Sequence, residues 1–153
     1  MGALKIKPDD TLSAALGNIL RKRMATTFAM AEKVKKKNDV ESLHQMRISA
    51  RRLQSLMKIF REVLPRKAFK NHHKNLRMLL RASGSIREND MFLSMLAEHR
   101  KTLLQSEGRV IDNLIARRQH QRAKDLEYLR GILAEFAKTG FHKQMETYLD
   151  LRA

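Results

Sequence analysis

From Leu43 to Leu64 an apolar side chain returns at alternating intervals of three and four residues: Leu43, Met46, Ala50, Leu53, Met57, Phe60 and Leu64. That rhythm keeps one stripe of an α-helix apolar for about three heptads, whereas a strand alternates its faces every second residue. A helix striped in this way has to bury the stripe against other helices. The rest of the composition supports the same solution. Nine Met, only two Pro, no Trp and 5% aromatics suit helices and not a turn-rich sandwich or barrel. The absence of Cys excludes a disulfide scaffold, a thiolate zinc site and a Cys nucleophile. At 153 residues with 42% hydrophobic side chains, the chain can support one core. The expected fold is all-α: an antiparallel up-and-down bundle of four main helices plus extra helical segments, one domain over residues 1–153, with a basic cavity.

Boundary signals place the elements. Asp9, Asp10 and Thr11 supply capping oxygens for a first helix that ends at Lys35, Lys36, Lys37 and Asn38. Asp39 caps a second helix running to Leu64, where Pro65 stops it. A third helix is expected from Arg66 or Lys67 to Ser83-Gly84, and a fourth from Ile86 to Gln105, closed by Ser106, Glu107 and Gly108. A long fifth helix, Arg109 to Lys138, crosses the polar stretch from Arg117 to Lys124 and stops at Thr139-Gly140, leaving a short segment from Phe141 to Leu151.

The formal net charge is +16, and it is unevenly spread. Residues 41–83 carry eleven Lys and Arg against two Asp and Glu, more than half of the excess. This concentration points to a built anion site. One residue round from the apolar seam runs His44, Arg47, Arg51, Gln54, Lys58 and Arg61, with no acid among them. At about 100° per residue this line lies roughly 110° from the seam, flanking the core and bordering neighbouring helices. Cations so aligned repel one another unless an anion lies between them. The third helix repeats the pattern with Lys70, Lys74, Arg77 and Arg81, which His73 can join. The adjacent His72 is expected to be a packed or surface residue, since neighbouring histidines point about 100° apart and make a poor metal pair.

The run His44-Gln45-Met46-Arg47-Ile48-Ser49-Ala50-Arg51-Arg52-Leu53 resembles the signature of the CHAD family, the conserved histidine α-helical domain. A second feature follows at the family's distance: Leu76, Leu79, Leu80, Ser83-Gly84, then Ile86-Arg87-Glu88-Asn89-Asp90-Met91. The family usually has a Gly-x-x-Arg-Asp-x-Asp turn there, whereas here Glu88 and Asn89 depart from the pattern. The resemblance implies a helical domain that binds inorganic polyphosphate in a basic cavity without catalysis. It assigns anion contacts to His44, Arg47, Arg51, Arg77, Arg81 and Arg87. Asp90 is expected to support the site by capping or by clamping Arg87 in one rotamer. The family commonly has two related halves, each with its own His-x-x-Arg helix. Here that motif occurs once, so the chain resembles one half, and a homodimer would restore the other.

Polyphosphate has no bases to stack or read, so its recognition is Coulombic and geometric. Arg offers a planar fork to phosphate oxygens, and Lys a mobile point charge. A proton gained by His44 beside bound phosphates would make binding tighten as pH falls. Arg117, Arg118 and Arg122 either face the same cavity or are solvated. Changing Arg47 and Arg51 to Glu is expected to abolish binding and spare the melting behaviour. The rival partner is RNA or DNA, which the charge permits, although stacking platforms are scarce with two Tyr and six Phe. An enzyme is not expected, because no P-loop and no clustered acids for Mg²⁺ occur. Neither a cofactor nor a metal is expected. No signal peptide, myristoylation pattern or spanning segment is seen, so the expected location is cytoplasmic; whether the protein sits on polyphosphate granules is left open by the sequence.

Overall fold

A computed structural model describes residues 11–150, and these form five helices with no strand among them. They are α1 (Leu12–Lys37), α2 (Val40–Ile59), α3 (Arg66–Arg100), α4 (Gln105–Lys138) and α5 (Phe141–Tyr148). The α1 N-cap is Thr11, whose hydroxyl accepts from the Ala14 N–H at 3.2 Å. Asp9 and Asp10, expected to share that role, lie outside the described residues. Asn38 ends α1 in the left-handed conformation (φ 48°, ψ 38°), and Asp39 at once caps α2 by accepting from the Glu41 and Ser42 N–H groups. The Ser42 hydroxyl also donates to the Asp39 carboxylate, and this bond first, then the N–H bonds, hold that carboxyl below the usual carboxylate range.

Three expected boundaries are corrected. The second helix ends at Ile59 and not at Leu64: the chain turns through residues 60–64, and Pro65 disfavours helical dihedrals at Leu64. Leu64 still reaches the core, delivered by the turn. The third and fourth expected helices are one, since α3 runs unbroken through Ser83-Gly84. Ser83 bonds back to the carbonyls of Leu79 (2.8 Å) and Leu80 (3.2 Å), which the helix accommodates. Gly84 marks a close approach: a Cβ there would fall 3.3 Å from Arg47 Nη1. Likewise, Gly108 does not close a helix but lies in the first turn of α4, where a Cβ would fall 2.1 Å from Arg100 Cζ. The Arg100 guanidinium rests in that notch and grips Asp112 at 2.8 and 3.3 Å. Beyond it, α4 crosses the polar stretch without a break, as the sequence predicts.

Packing follows the chain: α1 on α2, α2 on α3, α3 on α4, then α4 back on α1, with α5 across α1 and α4. The two-residue link between α1 and α2 makes them antiparallel neighbours. Every helical residue of the expected seam is buried: Leu43, Met46, Ala50, Leu53 and Met57 meet Leu20 and Met24 of α1, Leu76, Leu79 and Ile86 of α3, and Leu129 and Leu133 of α4. His72 proves to be packed, its ring 4.5 Å from Tyr148 and 5.7 Å from Phe141, and burial lowers its pKa. The same burial pushes the Tyr148 phenol up to about 12.

At 1.5 Å per residue α3 is about 50 Å long and α2 about 30 Å, so the α3–α4 hairpin overreaches its partners. The core ends at Ile86 on α3 and resumes at Leu126 on α4. On the overreaching part Met95, Leu104 and Val110 are exposed, and Met91 is exposed beside α2 at its base. Among the described residues, no helix is long and apolar enough to cross a membrane.

Candidate anion-binding site

The α2 seam faces the core, so the residues one step round it are turned toward α3, and a cavity opens between the two helices. Its volume is about 440 Å³, and its walls are His44, Arg47, Ile48, Arg51 and Arg52 from α2 with Gly84, Arg87, Glu88 and Met91 from α3. Of the residues singled out in the sequence, His44, Arg47, Arg51 and Arg87 are thus brought together. The cavity has one carboxylate, Glu88, against four guanidinium groups and an imidazole. Arg52 was missed as a wall residue because its position is 100° beyond the basic line. Its place beside Arg51 in the motif was the available signal.

Arg47 is the best-anchored cation. Its Nη1 donates to the Leu80 carbonyl at 2.8 Å and to Ser83 Oγ at 3.1 Å, over the notch left by Gly84. Burial is the largest cause depressing its pKa, followed by the like charge of Arg51. Arg87 acts in the same direction and Glu88 opposes it. Arg47 therefore ties α2 to α3 as well as lining the cavity, which changes what its replacement does. Arg47→Gln is expected to cost about 1–2 kcal/mol in urea unfolding, because a charged donor is lost from a partly buried pair of acceptors. The Arg47 and Arg51 double change to Glu is accordingly not expected to spare the melting behaviour.

The remaining candidates lie elsewhere on the basic face. His73 stacks on Phe69 with ring centroids 5.5 Å apart, and burial, then Arg77 and Lys58, lower its pKa. Lys58, His73 and Arg77 thus form a group of their own. Lys70 lines a smaller cavity of about 280 Å³ with Arg61, Glu62, Arg66 and Phe69, and the Arg61 guanidinium lies 5.5 Å from the Phe69 ring centre. Lys74 and Arg81 are exposed on α3 and border neither cavity.

Asp90 has a different partner from the one expected. It does not hold Arg87, and it lies within α3 instead of in a first turn. Its carboxylate pairs with Arg122 of α4, with side chains 8% and 15% exposed, and Arg122 also donates to Asn38 Oδ1 at 3.0 Å. Asn89 joins the same layer, donating to Asp125 at 2.9 Å and to the Ser85 carbonyl at 3.0 Å. The expected Arg-Glu-Asn-Asp turn is thus a helical segment whose Asn and Asp fasten α3 to α4 while its Arg and Glu face α2. Arg118 lies over the Phe92 ring at 4.6 Å, and none of Arg117, Arg118 or Arg122 lines the cavity.

The arrangement can grip an anion by charge and by guanidinium forks. Among the described residues, no group of three or more His, Cys, Asp or Glu side chains could hold a metal ion. No curated protein matches the chain. The sequence does match the CHAD domain over residues 18–153, which takes in all five helices from Asn18 of α1 onward and the whole of the cavity. The protein belongs to the CHAD domain family.

Proposed function

We propose that the protein binds inorganic polyphosphate in the cavity between α2 and α3 and does not transform it. The observation carrying this reading is the wall composition: His44, Arg47, Arg51, Arg52 and Arg87 around one space, with Glu88 the single acid. Such a cleft concentrates field on a polyanion. Phosphoryl transfer needs groups to hold a metal or activate a nucleophile, and one carboxylate amid arginines is poorly suited to either task. Membership of the CHAD domain family supports the same ligand. Residence on polyphosphate granules in the cytoplasm belongs to the same proposal.

A homodimer completes the reading. The sequence holds a single His-x-x-Arg helix. Met91, 60% exposed at the cavity's edge, and Met95 one turn on offer a second copy an apolar seat beside the site. Mass measurement in solution, with and without polyphosphate, tests this, and monomer under both conditions would remove it.

Titration against polyphosphate and against RNA, at matched phosphate and salt, tests the ligand. Four or so phosphate contacts at about −0.7 each predict a slope near −3 for log affinity against log salt. Polyphosphate is expected to bind tighter than RNA, with no orthophosphate released. A tenfold preference for RNA would make the protein a nucleic-acid module, and orthophosphate release lost on changing His44 would make it an enzyme.

A further inference from the structure

The α2 helix has a second basic flank. On its other side, against α1, lies a groove of about 480 Å³ lined by Ile19, Arg23, Arg51, Arg52, Ser55 and Leu56. It contains three guanidinium groups and no carboxylate. Arg51 and Arg52 also line the α2–α3 cavity, so the two spaces meet along one ridge of α2. The third arginine, Arg23, stands on a fixed stretch of α1: its carbonyl accepts from Ser49 Oγ of α2 and from Thr27 Oγ1, each at 2.8 Å. The floor of Ile19 and Leu56 offers no hydrogen bonds and little polarisability. A low-dielectric floor strengthens the field of cations around it, and arginine stems can lie along it with their heads free.

We propose that this α1–α2 groove is a second phosphate subsite, and that a polyphosphate long enough to cross the Arg51–Arg52 ridge occupies both spaces at once. The inference rests on the polyphosphate reading above and adds to it a path and a dependence on chain length. A short polyphosphate gains only the α2–α3 cavity, where four guanidinium groups and an imidazole converge. A long one makes the Arg23 contact as an intramolecular step, so its affinity rises without any change at the first cavity.

The test compares tripolyphosphate with long-chain polyphosphate on the full chain, as wild type, Arg23→Gln and Arg23→Lys. Arg23→Gln is expected to weaken long-chain binding about tenfold, as loss of one charge-assisted contact does, and to flatten its salt slope by about 0.7. Tripolyphosphate affinity should stay within about twofold of wild type, and Arg23→Lys should recover most of the long-chain affinity. Unchanged long-chain affinity in Arg23→Gln, or equal weakening of both probes, overturns the second subsite and leaves the first standing. If wild type binds neither probe, the polyphosphate reading itself falls, and the subsite with it.

Discussion

Replacing Arg51 and Arg87 together by glutamine is expected to weaken polyphosphate binding about 100-fold and to leave the melting temperature within about 2 °C of wild type. Each contributes a guanidinium to the α2–α3 cavity from opposite walls, α2 and α3, and neither has a hydrogen-bonded or ionic protein partner among those found in the described residues. A charge-assisted hydrogen bond contributes about 1.5–3 kcal/mol, so losing two removes some two orders of magnitude in affinity. Stability moves little because surface positions without partners usually change it by no more than about 0.5 kcal/mol. Calorimetric titration reads the first quantity and a thermal melt followed by circular dichroism the second. This pair is a cleaner probe than any involving Arg47, whose bonds to Leu80 and Ser83 would mix a folding effect into the result.

Leu53→Asp is expected to have the opposite signature, with the fold lost and binding lost only as a consequence. Leu53 is 0% exposed at the middle of the seam, within the cluster shared by α1, α2, α3 and α4. The substitution forfeits an apolar side chain's burial and leaves a carboxylate with no partner in a dry core. Together these cost more than about 4 kcal/mol, a large part of the 5–15 kcal/mol that holds a domain of this kind folded. Loss of the cooperative melt and a strong fall in ellipticity at 25 °C are the expected readings. A sharp melt near the wild-type temperature would show that the seam is not the centre of the core.

Much of this was readable from residue spacing, because caps and stripes are local. Thr11, Asn38 and Asp39 announce their boundaries through their own side chains or backbone, and the seam from Leu43 to Met57 is buried as its period requires. What failed was local punctuation that serves a distant partner. Ser83-Gly84 and Gly108 look like stops, yet their small size makes room for Arg47 and Arg100, which arrive from elsewhere in the chain. Asp90 sits three residues from Arg87, but its partner Arg122 is 32 residues away on α4. The site was legible in outline for the same reason. Stripe arithmetic put His44, Arg47 and Arg51 on one flank, but only the crossing of α2 over α3 decides that Arg87 and Arg52 join them while Lys74 and Arg81 do not. The groove beside Arg23 left no trace in spacing, since it depends on how α1 lies against α2.

Guanidinium groups of α2 and α3 are expected to converge on one anion. A crystal structure of the protein grown with tripolyphosphate tests it most directly. The ligand is expected between the two helices, with phosphate oxygens within hydrogen-bond distance of both Arg51 and Arg87. Tripolyphosphate seated elsewhere, with those two side chains turned to bulk solvent, would contradict it.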